Sequence, residues 1–125
     1  CGGGAGAVVP RVVGVVENTA SSSAADGAGT STARFKKPTG CVQQSPGTNG
    51  LFIADRDGYA IRQVDVTAAE TVTTYAGQLN SQGTDDGDRV TVATFAEPVG
   101  IVTVGGDLIV TDHTRHCLRQ ITSTD

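Results

Sequence analysis

The apolar and polar positions of this chain fall into short runs rich in Val, Ile and Thr, separated by clusters of Gly, Pro, Asn, Asp and Ser. Runs of about four to eight residues with that makeup and punctuation are expected to form β-strands. The pattern predicts strands over residues 12–16, 39–44, 51–54, 60–65 and 71–76, and again over 99–104, 107–111 and 116–121. The connections SPGTNG, DRDG and TAAE carry the residues that tight hairpins need. Four strands within about forty residues make a meander. The later group stops after three.

The chain uses this pattern twice. ADGAGTSTARFKKPTGCV (25–42) returns as DDGDRVTVATFAEPVGIV (85–102), with Asp26-Gly27, Phe35, Pro38 and Gly40 matched by Asp86-Gly87, Phe95, Pro98 and Gly100 at an offset of 60 (98 − 38). Downstream, LFIADRDGYAIRQV (51–64) aligns on LIVTDHTRHCLRQI (108–121) at an offset of 57 (112 − 55). Upstream, VVGVVEN (12–18) aligns on VTTYAGQ (72–78), so the N-terminal run has the character of a fourth strand set apart from any meander of its own. A period of this size marks a solenoid, propeller or array, in which one unit cannot bury its apolar face alone.

The spaced elements ARFKKPTGCV, LFIADRDGYAIRQV and TVTTYAG, and in the second copy ATFAEPVGIV, LIVTD and CLRQI, resemble the NHL repeat of β-propellers. The resemblance implies an all-β fold of two four-stranded antiparallel blades, the last lacking its fourth strand within the chain. It also implies a ring closed by a terminal strand that completes a blade at the other end, although a ring needs about four to eight blades. The expected layout is a Gly-rich leader at 1–11, a displaced strand at 12–18, a Ser/Thr/Gly-rich loop at 19–34, one blade at 35–78, and a loop plus an incomplete blade at 79–125.

Composition narrows the function classes. Sixteen Val, seventeen Thr and five Ile against two Tyr, three Phe and no Trp suit pleated sheets and leave few aromatic faces on which a sugar could stack. The formal charge of −4 and nine scattered Lys and Arg argue against nucleic acid, whose affinity depends on clustered cations. No apolar run approaches the roughly 18–20 residues that cross a bilayer. Cys1 followed by GGGAGA resembles the mature end of a bacterial lipoprotein, which would carry lipid on the thiol and link the chain to a membrane only there. That resemblance implies an extracellular or cell-surface location. There, Thr19, Ser21, Ser22, Ser23, Thr30, Ser31 and Thr32 are candidates for O-linked glycan, whereas no Asn-x-Ser/Thr triplet occurs.

Few residues invite chemistry. Asp55 with Arg62, and Asp112 with Arg119, are placed to pair across a hairpin, and their recurrence favours a structural role over a ligand contact. Asp85, Asp86 and Asp88 around Gly87, like Asp55 and Asp57 before Gly58, resemble fragments of a calcium loop but lack its twelve-residue spacing, so a turn is preferred. His113, His116 and Asp112, beside Cys117, are the one weak candidate metal cluster. Cys41 and Cys117 occupy apolar strand positions, where a buried thiol or a bridge is favoured over a nucleophile. No cofactor is expected.

The preferred reading is a non-enzymatic structural module that assembles with copies of itself. Val12, Val13, Val15 and Val16 of one chain would add to the open edge at Cys117, Arg119 and Ile121 of the next, giving a filament or a composite propeller. The alternatives are a ligand- or carbohydrate-binding propeller fragment and a fragment of an NHL-type lyase.

Overall fold

The computed structural model describes residues 23–29, 31–67 and 70–123. Every regular element among them is a strand: β1 (Gly27–Ala28), β2 (Pro38–Gln43), β3 (Gly50–Asp55), β4 (Ala60–Asp65), β5 (Thr71–Gly77), β6 (Pro98–Val104), β7 (Asp107–Asp112) and β8 (Cys117–Ile121). They form two antiparallel sheets, ordered β1-β5-β4-β3-β2 and β6-β7-β8. The seven longer strands lie where the β-branched runs predicted them, with ends shifted by a residue or so. The predicted strand at 12–16 lies outside the described residues, as do Cys1, Thr19, Ser21, Ser22 and Thr30.

One expectation needs correction. The Ser/Thr/Gly-rich stretch was expected to be loop throughout, yet Gly27 pairs with Val72 and Ala28 with Thr71, adding β1 to the outer edge of the first sheet. A bridge between Ala25 and Arg34 closes this ribbon, and Ala24 and Ala33 are buried beneath it. Small residues are what allow it to lie flat on β5. A polar composition can order when it rests on a surface already built.

Each sheet has two apolar faces. One face of the first sheet, with Phe52, Ala54, Ile61 and Ala76, meets Phe95, Ile101, Leu108, Val110 and Ile121 of the second unit in a shared core. The opposite face of the first sheet gathers Ala33, Val64 and Val72 with the half-buried Phe35, Leu51, Ile53 and Val66. Repeat alignment makes those positions the counterparts of the second unit's core residues. One sheet therefore shows to one side what the other shows to its neighbour, the arrangement of blades stacked around an axis.

The inner strands β2 and β6 run close together. Thr39 Oγ1 donates to Val99 O at 3.1 Å, and a Cβ placed on Gly40 would stand 2.5 Å from that same carbonyl. Gly40 is thus required by close backbone approach rather than by conformation.

Candidate functional site

The chemistry-bearing side chains gather at one end of each sheet, where a single carboxylate organises the chain entering the inner strand. Asp55, fully buried at the end of β3, accepts from Lys36 N–H at 3.1 Å, Lys37 N–H at 2.7 Å and Arg62 Nη1 at 3.1 Å. Arg62, on β4 and also fully buried, donates to Arg34 O at 2.9 Å and Ala25 O at 2.6 Å, pairs with Asp26 at 2.8 Å, and lies over the Phe35 ring at 5.1 Å. Asp26 in turn accepts from Thr74 N–H at 3.0 Å and Thr74 Oγ1 at 2.9 Å on β5. A buried guanidinium is tolerable only when its donors are filled this completely.

The second unit repeats the network. Asp112 accepts from Ala96 N–H at 3.0 Å and Glu97 N–H at 2.9 Å, with Arg119 Nη1 at 3.7 Å. Arg119 donates to Thr94 O and Asp85 O, both at 2.9 Å, pairs with Asp86 at 2.7 Å, and covers Phe95 at 4.9 Å. Only the Thr74 partner is lacking among the described residues. Asp86 is accordingly 79 % exposed at its side chain, against 42 % for Asp26.

A latch between the two sheets went unnoticed in the sequence. Glu97 accepts from Arg56 Nη2 of the first sheet at 2.8 Å and from Thr114 Oγ1 at 2.6 Å, and lies 3.0 Å from His113 Nδ1. Hydrogen bonds from Thr114, Arg56 and His113, in that order, hold its carboxyl down to about 2 from the usual 4.5. Its counterpart in the first unit is Lys37, so no repeated pattern could have pointed to it.

With this geometry in view, residues 95–121 match the NHL repeat. The second unit is an NHL repeat. The two sheets are propeller-type blades. No curated protein sequence matches it. Among solved structures it is similar to a Bacteroides thetaiotaomicron protein named as a candidate phosphatase, at 30 % identity over 90 % of this chain and TM-score 0.73. It is also similar to auxiliary nutrient binding proteins from Bacteroides thetaiotaomicron and Bacteroides ovatus, each at 28 % identity over 78 % of the chain and TM-score 0.65. The chain spans about a quarter of the length of these structures, 26 % in the first case and 25 % in the others.

The remaining candidates fall into place around the two blades. His113 turns to Glu97, its ring centroid lies 6.5 Å from that of His116, and Asp112 is taken up by backbone donors and Arg119. Among the described residues, no three His, Cys, Asp or Glu side chains converge as metal ligands. Asp88 folds back on Val90 N–H and on the Thr91 N–H and hydroxyl, and these bonds, chiefly those from Thr91, lower its carboxyl below the ordinary range. It closes a turn. The expectation of a buried or bridged thiol is corrected for both cysteines: Cys41 is exposed, Cys117 half-buried, and each is free. Cys41 stands where Ile101 is buried in the second blade, and it is exposed because its face of the first blade is uncovered. Ser23, Ser31 and Thr32 are exposed, with Thr32 Oγ1 turned to Ala28 O.

Proposed function

We propose that this chain is a non-enzymatic blade pair of a surface-exposed β-propeller, built to be continued head to tail by further blades. One observation carries the reading. Val102 and Leu118 on the outer face of the second blade are 53 % and 70 % exposed, whereas their counterparts in the first, Val42 and Ile61, pack into the core shared with the next blade. A repeat whose apolar face has no cover calls for a neighbour. In its specific form the neighbour is a second copy, whose Val12, Val13, Val15 and Val16 add to Cys117, Arg119 and Ile121 of β8. That contact is heterologous, so it closes into a ring or runs on as a fibre.

A non-catalytic role is supported by the way the buried Asp55 and Asp112 are spent on backbone N–H groups and arginines, which leaves these two no free valence for acid–base work. The nutrient-binding names of two similar structures support binding and a surface location. Sedimentation velocity of the 125-residue chain over a concentration series is expected to show association beyond the monomer. A compact monomer at every concentration would overturn head-to-tail addition. A second reading, a nutrient-type ligand bound between blades, is checked by thermal-shift screening against small sugars and other nutrients.

A further inference from the structure

The two blades depart from each other at one place that packing does not explain. On β4, Gln63 stands opposite Phe52 of β3 and Thr73 of β5. Directly paired residues share a face of the sheet, so these side chains lie on the face that carries Phe52 into the core shared with the second blade. Beyond Phe52 the apolar stripe ends, and a cleft of about 440 Å³ opens against Gln44, Asn49, Gln63, Asp65, Thr71 and Thr73. All six belong to the first blade, whose four long strands and edge strand β1 lie within the chain.

A glycine and an amide pair build the cleft. A Cβ on Gly50 would stand 2.2 Å from Gln44 Oε1, so glycine is what lets that carboxamide lie across the end of β3. There Gln44 Oε1 accepts from Gln63 Nε2 at 3.1 Å. The Gln44 amino group, the Gln63 oxygen and the hydroxyls of Thr71 and Thr73 are left without a protein partner among the described residues. Asp65 Oδ1 accepts from Thr67 N–H at 2.8 Å, and bonds from Thr67 hold its carboxyl below the ordinary range, so it stays an acceptor. The second blade closes the same place. Val104 stands where the first blade has Gln44, and Asp107 where it has Gly50. Asp107 takes up Gln120 Nε2, the counterpart of Gln63, at 2.8 Å and Ser123 N–H at 3.0 Å. What the repeat writes only once is not what holds a blade together.

We propose that this cleft binds a neutral saccharide through its hydroxyl groups. The proposal rests on the reading of a nutrient-type ligand held between blades, and names its place and class. The lining disfavours the other classes in turn. Among the described residues it holds no Lys or Arg to pair an anion, and its one apolar side chain, Val64, makes no bed for a lipid or an aromatic ring. What it offers is free donors beside free acceptors on a rigid sheet, which suits a ligand whose groups both give and take a hydrogen bond. Sugar hydroxyls do so at every position. With no aromatic face beneath the ring, the sugar is held at its edge, and binding is expected to be weak, with Kd in about the millimolar range.

Saturation-transfer NMR on the 125-residue chain detects weak ligands and works for a monomer and an assembly alike. The probes are glucose, maltose, putrescine and citrate. The two sugars are expected to give a signal, and the cation and the anion none. Thr73→Val removes one hydroxyl at nearly constant shape and should weaken sugar binding about three- to tenfold, the worth of one neutral hydrogen bond. Gln63→Leu should weaken it at least as much. Thr103→Val, at an exposed strand position of the second blade outside the cleft, should leave the signal unchanged, with circular dichroism showing the strands intact in all three variants. A sugar signal that both cleft variants leave unchanged puts the sugar elsewhere and overturns this site, while the reading of a ligand between blades stands. A signal from putrescine or citrate alone overturns the saccharide class. If no probe gives a signal the proposal fails, and thermal-shift screening against other nutrients decides the broader reading separately.

Discussion

At the scale of single residues, the two Asp–Arg pairs look alike in sequence but differ in environment, and their variants should differ accordingly. Asp55 and Arg62 are both fully buried, so Asp55→Ala strands a guanidinium without its partner and removes the acceptor of two backbone N–H groups. Breaking a buried pair in this way costs about 3–5 kcal/mol. In the second blade Arg119 is 10 % exposed and 3.7 Å from Asp112, so Asp112→Ala should cost less. Urea denaturation of the two variants checks the order. Glu97 makes a prediction with a sign. Its folded carboxyl titrates near 2 and its unfolded one near 4.5, so the latch contributes fully above about pH 4.5 and is lost as the pH falls toward 2. The stability gap between the native chain and Glu97→Gln, read as urea midpoints at several pH values, should close over that window and remain constant above it.

At the scale of elements, the strands were legible because β-branched runs ended at Gly, Pro, Asn and Asp, and because each run was written twice. The Asp–Arg pairs were legible for the same reason, since a hairpin of fixed length brings its two ends together. What escaped was non-local. β1 has two residues and a Ser/Gly-rich surround, and it becomes a strand only because β5 offers it an edge. Glu97 meets Arg56 across 41 residues and a sheet boundary. Asp26 was visible as a repeated Asp-Gly, but its hold on Thr74 spans 48 residues. Between elements, Gly40 governs how near the inner strands come. Gly40→Val would push a side chain into Val99 O and cost about 1–3 kcal/mol, the range of overpacked cores. The same change at Gly47, which has open space around its Cβ position but φ 80°, should cost only its backbone strain. Comparing the thermal midpoints of the two variants separates steric approach from conformation.

At the scale of the molecule, the two-blade unit is complementary to itself. Its leading face offers the half-buried Leu51 and Ile53 with the exposed Cys41, and its trailing face offers Val102 and Leu118, the same surfaces that meet between the two blades. The internal junction is therefore a pattern for the external one, whichever polypeptide supplies the next blade. Leu118→Glu tests this without touching the internal core, because 70 % of the residue is exposed and surface changes of this kind usually shift stability within about ±0.5 kcal/mol. A charge at the centre of the trailing face would have to be buried unpaired when a blade docks there. Association measured by sedimentation should therefore weaken by an order of magnitude or more, with the unfolding midpoint nearly unchanged. If Leu118→Glu associates as the native chain does, the trailing face is not where blades are added, and the exposed valine and leucine on it need another partner.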